Sequence, residues 1–134
     1  MTDVAFLTLA EAVEIHRDVI SRYGGPIGVR DYGLLEAALA APRATFDGKF
    51  LHPGVYEMAA AYLYHVCKDH PFVDGNKRTA LACALVFLDI NGIVIEDPGD
   101  VLSDLTTQVA SGQADKTRVA DEFQRLARIL RARC

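Results

Sequence analysis

The sequence lacks any stretch suited to crossing a membrane. Its longest uncharged apolar run is Thr79–Leu88, about half of the ~20 residues a spanning helix needs. The opening Met1-Thr2-Asp3-Val4 has no basic segment and no cleavage-type pattern, so a secretory leader is not expected. Cysteine is scarce and odd in number. Of the 3 residues, Cys67 and Cys83 sit in apolar runs and Cys134 is last. Without a C-x-x-C pair, a disulfide framework is excluded and a reducing cytoplasm is the expected location. Positive charge is also in deficit: 14 Lys and Arg face 18 Asp and Glu, a net charge of −4. Non-specific nucleic-acid binding is therefore disfavoured. His52 and His65 form no ligand spacing with each other or with His70, so zinc is not expected. Neither G-x-x-x-x-G-K-[ST] nor G-x-G-x-x-G occurs, so any nucleotide is held by another device.

What is present describes one folded unit, residues 1–134, with 51% hydrophobic and 24% charged residues. The class is all-α, with about six helices and little strand. Thr8 and Glu11 form a capping-box pattern, and Ala12, Ile15, Val19, Ile20 and Tyr23 follow at helical spacing. Gly24-Gly25 ends that helix. A second helix starts after Asp31 and stops at Pro42. Arg43–Leu51 contains Asp47-Gly48 and reads as a loop or short hairpin. The third helix begins near Pro53 and runs through Cys67; the fourth spans Asn76–Asn91. Both are apolar nearly all round, which places them at the centre, buried on all sides. Ile93-Val94-Ile95 reads as a short strand. A fifth helix carries Val101, Leu102, Leu105 and Val109, and a sixth carries Val119, Phe123, Leu126 and Leu130. Tyr56, Tyr62 and Tyr64 read as packing residues, and His52 and His65 as structural. The C-terminal arginines, Arg118 to Arg133, read as cations favoured near a helix C-terminus.

The chemistry concentrates between the two central helices, in His70-Pro71-Phe72-Val73-Asp74-Gly75-Asn76-Lys77-Arg78. The first N–H groups of a helix lack internal partners and carry the positive end of its dipole. Gly75-Asn76 can adopt the conformations that turn successive amides to one point, an anion nest. Lys77 and Arg78 stand at the same end, where cations are locally unfavourable. That choice makes sense if a polyanion fills the site, and phosphate is the obvious candidate. Asp74 is a hard oxygen donor suited to Mg²⁺, and His70 can serve as a general base. Base, Mg²⁺ ligand and phosphate nest are the parts of phosphoryl or nucleotidyl transfer. A metal-dependent nuclease would need a second carboxylate, for which Asp69 is the neighbouring candidate.

The nine residues resemble the signature of the Fic/Doc family, His-x-Phe-x-[Asp/Glu/Asn]-[Gly/Ala]-Asn-[Gly/Lys]-Arg, without departure. Ser21-Arg22-Tyr23-Gly24-Gly25, Gly33–Leu39, Thr79-Ala80-Leu81, Phe87-Leu88 and Asn91-Gly92 are similar to its Doc (death-on-curing) branch. The resemblance implies a compact helical fold with a flap at Arg43–Leu51 that docks the target as an extended chain. It implies His70 as the catalytic base, Asp74 holding Mg²⁺, and Gly75, Asn76, Lys77 and Arg78 binding the phosphates of ATP, with Phe72 anchoring the loop. Fic enzymes generally transfer AMP and have Gly after the Asn; Doc toxins have Lys, here Lys77, and transfer the γ-phosphoryl group. The implied role is a toxin of a type II toxin-antitoxin system, a protein Ser/Thr kinase acting on elongation factor Tu and arresting translation. The restraining motif [Ser/Thr]-x-x-x-Glu-[Gly/Asn] is absent, which implies a separate antitoxin. Nucleic acid would be met only indirectly, through that antitoxin. The alternatives are an AMP transferase in the same fold and a non-catalytic antitoxin-binding co-repressor module.

Overall fold

Thr8 starts the first helix as its spacing predicts. The Thr8 hydroxyl accepts the Glu11 amide, and the Glu11 carboxylate accepts the Thr8 amide. In the computed structural model, which describes residues 3–129, α1 spans Leu9–Tyr23. The Asp31 side chain caps α2, Tyr32–Ala40, by accepting the Leu34 amide. One 3-10 turn, Ala41–Arg43, leads into β1 (Thr45–Phe46) and β2 (Lys49–Phe50). These pair antiparallel about Asp47-Gly48, both at positive φ (54° and 77°). That is the geometry a two-residue hairpin requires. The segment between Pro42 and the third helix is thus an exposed hairpin, with Phe46 75% accessible.

The third helix, α3, spans Val55–Asp69, with Gly54 rather than Pro53 as its N-cap. α4 spans Asn76–Ile90. β3 (Ile93–Ile95), α5 (Val101–Ala110), α6 (Lys116–Leu126) and β4 (Ala127–Ile129) complete the order. α3 is the hub and packs on α2, α4, α5 and α6. Met58 through Leu63, with Val66 and Cys67, are sealed from solvent. Each large side chain so buried contributes roughly 1.5–3 kcal/mol, so this helix anchors the core. Tyr62 lies wholly inside, its Oη accepting the Leu7 amide at 3.0 Å. Burial pushes its phenol up to about 12.

Two expectations are corrected. The fourth helix is not buried on all sides: Thr79, Ala80, Cys83, Ala84, Phe87 and Leu88 face the core, while Val86 and Ile90 are exposed. Its sequence, apolar nearly all round past the first turn, hides a solvent face. The sixth helix ends at Leu126, where Ala127 turns extended (φ −73°, ψ 139°). Ala127–Ile129 then pairs antiparallel with β3, Ile93 opposite Ile129. β3 offers unpaired backbone groups, and meeting them outweighs another helical turn. Leu130 of the expected helix lies outside the described residues, as do Arg131 and Arg133. Arg128 consequently sits on a strand and pairs with Glu96 at 2.8 Å, and Arg125 pairs with Glu122. No described helix is long and apolar enough to cross a membrane. Cys67 and Cys83 are buried free thiols, and burial pushes Cys83 up to about 12.

Candidate active site

The nine-residue segment joins α3 to α4 and faces a cleft of about 510 Å³. His70 ends α3 in the left-handed conformation (φ 50°, ψ 55°). Gly75 opens α4 in the same region (φ 74°, ψ 22°) and contributes no side-chain cap. The helix ladder starts only with the Thr79 amide, which donates to the Gly75 carbonyl at 2.9 Å. Among the described residues, the amides of Gly75, Asn76, Lys77 and Arg78 have no hydrogen-bond partner. Four donors at the positive end of a helix dipole are left for a ligand.

The segment is held from below by the turn between α1 and α2. Val29 and Phe72 form an antiparallel bridge. The Pro71 carbonyl accepts the Arg30 and Asp31 amides (2.7 and 3.1 Å), and the Val73 amide donates to Gly28 (3.0 Å). The Arg30 side chain adds two contacts, Nε to the His70 carbonyl at 2.7 Å and Nη2 to the Asp69 carbonyl at 3.1 Å. Within the segment, Asn76 Oδ1 accepts the Phe72 amide and Nδ2 donates to the Phe72 carbonyl (2.9 and 3.0 Å). The Asn76 side chain is therefore committed to the loop, leaving its amide for the cleft. Phe72 is 1% exposed and stacks on the His16 ring, with centroids 4.0 Å apart.

His70, Asp74, Gly75, Asn76, Lys77 and Arg78 all line the one cleft. The Asp74 carboxylate has no hydrogen-bond or ion-pair partner among the described residues. Its Oδ2 lies 2.6 Å from where a Cβ at Gly25 would stand, so Gly25 does more than help stop a helix: it makes room for this carboxylate. Arg78 lies over the exposed Tyr23 ring, 4.0 Å from the centroid. Lys77 has no carboxylate partner among the described residues. Among the described residues no group of three His, Cys, Asp or Glu gathers there, and Asp69 does not line the cleft. A single free carboxylate beside unpartnered amides could hold Mg²⁺, an ion that keeps waters and shares phosphate oxygens where a phosphate is bound.

Sequence reasoning missed the opposite wall, Ser103, Thr106 and Thr107 of α5. Their i, i+3, i+4 spacing on a helix was the available signal. It also missed His16 and Arg30, which reach the loop from far along the chain. The remaining histidines lie elsewhere. His52 Nε2 is 3.3 Å from Lys116 Nζ, and the His65 and Tyr64 rings meet nearly at right angles. Burial first, then Lys116, holds both imidazoles below their usual range.

Comparison with known proteins decides the lineage. A sequence model of the Fic/DOC family matches residues 6–88. The chain belongs to the Fic/Doc family. It is 45% identical over 103 residues to the protein named Toxin Doc of Mycolicibacterium smegmatis, covering 75% of this chain and 79% of that one. It is 39% identical over 116 residues to Protein kinase doc of Escherichia phage P1, covering 87% and 90%. The family match reaches from before α1 to within the last turn of α4 and includes every residue of the nine-residue segment.

Proposed function

We propose that this chain is a Doc-type toxin that transfers the γ-phosphoryl group of ATP to a Ser or Thr hydroxyl of a translation factor, with elongation factor Tu the expected target. The observation that carries the reading is the unpartnered start of α4: four free amides, Lys77 and the Asp74 carboxylate share one cleft with His70. The names of the two relatives, a toxin and a protein kinase, point the same way.

In this reading the amides of Gly75–Arg78 receive phosphate oxygens, and Lys77 and Arg78 offset their charge. Asp74 would hold Mg²⁺, which when bound neutralises charge on the transferred group. His70 takes the proton of the target hydroxyl as its oxygen attacks the γ-phosphorus; the bond to the bridging oxygen breaks and ADP departs. Lys77 is what separates this from AMP transfer, because its side chain fills volume that Gly leaves open and draws phosphate toward it. The exposed β1–β2 hairpin is suited to docking the target by strand addition. A cognate antitoxin neutralises the toxin, and contact with nucleic acid runs only through that antitoxin.

Intact mass spectrometry of translation factors incubated with the protein, ATP and Mg²⁺ tests this. The expected result is a gain of one phosphoryl group on elongation factor Tu, lost with His70→Ala. A gain of one AMP unit would overturn the kinase reading in favour of nucleotidyl transfer. No modification of any protein would leave a binding module.

A further inference from the structure

We infer that His16, on α1 and outside the nine-residue segment, is a positioning residue that sets the polarity of the anion nest; this rests on the phosphate-binding reading of the cleft. His16 is 2% exposed. Its ring lies flat on Phe72, 4° from parallel, a role an apolar ring could fill without the penalty of burying nitrogen atoms. The polar edge has one partner across the fold: Nε2 donates to the Asp74 carbonyl at 2.8 Å.

That carbonyl belongs to the peptide unit that ends in the Gly75 amide. The unit is planar and trans, so its C=O and N–H point in opposite directions. Holding the oxygen down against α1 turns the Gly75 N–H away from α1, toward the cleft that Gly75 lines. The opposite orientation is within reach of the chain, because glycine at position 75 tolerates φ of either sign. A flipped unit would present a carbonyl oxygen where a phosphate oxygen is to bind and repel it. The first donor of the nest therefore depends on a side chain 58 residues before Asp74. Gly75 is seated closely on this support. A Cβ there would stand 3.1 Å from Ile20 Cδ1 and 3.9 Å from His16 Nε2.

The test uses the full chain, two variants and inorganic tripolyphosphate as probe, followed by amide ¹H–¹⁵N spectra. His16→Phe keeps the ring and loses the donor; His16→Gln restores a donor. In the wild type the Gly75 amide should shift on titration. His16→Phe should bind tripolyphosphate about tenfold more weakly, the worth of one hydrogen bond, with Gly75 unresponsive. His16→Gln should recover most of the affinity. If His16→Phe fails to fold, His16→Leu takes its place. Undiminished affinity in the donor-less variant, with Gly75 still responding, would overturn the inference and leave His16 a packing residue. So would a wild-type Gly75 that ignores the probe. Wild-type binding without phosphoryl transfer from ATP would instead count against the kinase reading and leave the role of His16 standing.

Discussion

His70 occupies a backbone region that residues other than glycine enter at a cost of about 1–3 kcal/mol. The strain is maintained by Arg30, whose guanidinium spans the carbonyls of Asp69 and His70. Arg30→Met should relax His70 toward an ordinary helix end. On the proposed function, phosphoryl transfer should fall while ATP affinity holds; urea unfolding should show a loss of about 1 kcal/mol, modest because the contact is exposed. Asn76→Ala removes both bonds to Phe72 and should cost about 2 kcal/mol, read in the same titration, with ATP affinity falling as well because the amides lose their register. Residues of the 70–78 segment were legible in the sequence because a loop delivers them together. Arg30 and His16 were not. Helical spacing shows which positions face inward, but not which distant carbonyl an inward side chain meets.

The helices bring further walls to the cleft, and their ends decide how firmly. Asp97 gathers the amides of Gly99, Val101 and Leu102 at the start of α5, the helix that carries Ser103, Thr106 and Thr107. Burial alone would raise its carboxyl, but those three amides outweigh it and hold the group below its usual range. The stabilisation is therefore complete above the ordinary carboxylate range and is lost as pH falls through the lowered native value. Asp97→Ala should cost about 1 kcal/mol near neutral pH, as for a lost helix cap. In acid the difference from wild type should vanish, and thermal melts across pH 2–7 would show the convergence. Caps that follow local rules, at Thr8 and Asp31, could be read from sequence. The end of α6 could not, since Leu126 continues a helical period and only the edge of β3, some thirty residues earlier, makes Ala127–Ile129 a strand.

For the molecule as a whole, His52 and His65 link stability to mild acid. Burial and Lys116 depress both imidazoles, so below about pH 6.5 the unfolded chain binds more protons than the native one. Stability should be full above that value and decline below it, through the lowered native range. Lys116→Met removes one cause shared by both imidazoles, so its melting temperature should fall less than wild type between pH 7 and pH 5. The all-α class and the central place of α3 were legible because core-forming periodicity is local. The solvent face of α4 was not, because a helix apolar nearly all round past its first turn does not announce which side lacks a neighbour. The cleft draws on the α1–α2 region, the α3–α4 loop and α5, and this has a consequence for biosynthesis. A ribosome adds roughly 5–20 residues per second, so Thr107 follows Arg78 by on the order of a few seconds. Through that interval the nascent chain carries the motif without the α5 wall. The complete cleft therefore exists only after α5 has been made, and anything that binds the emerging chain has that time in which to act.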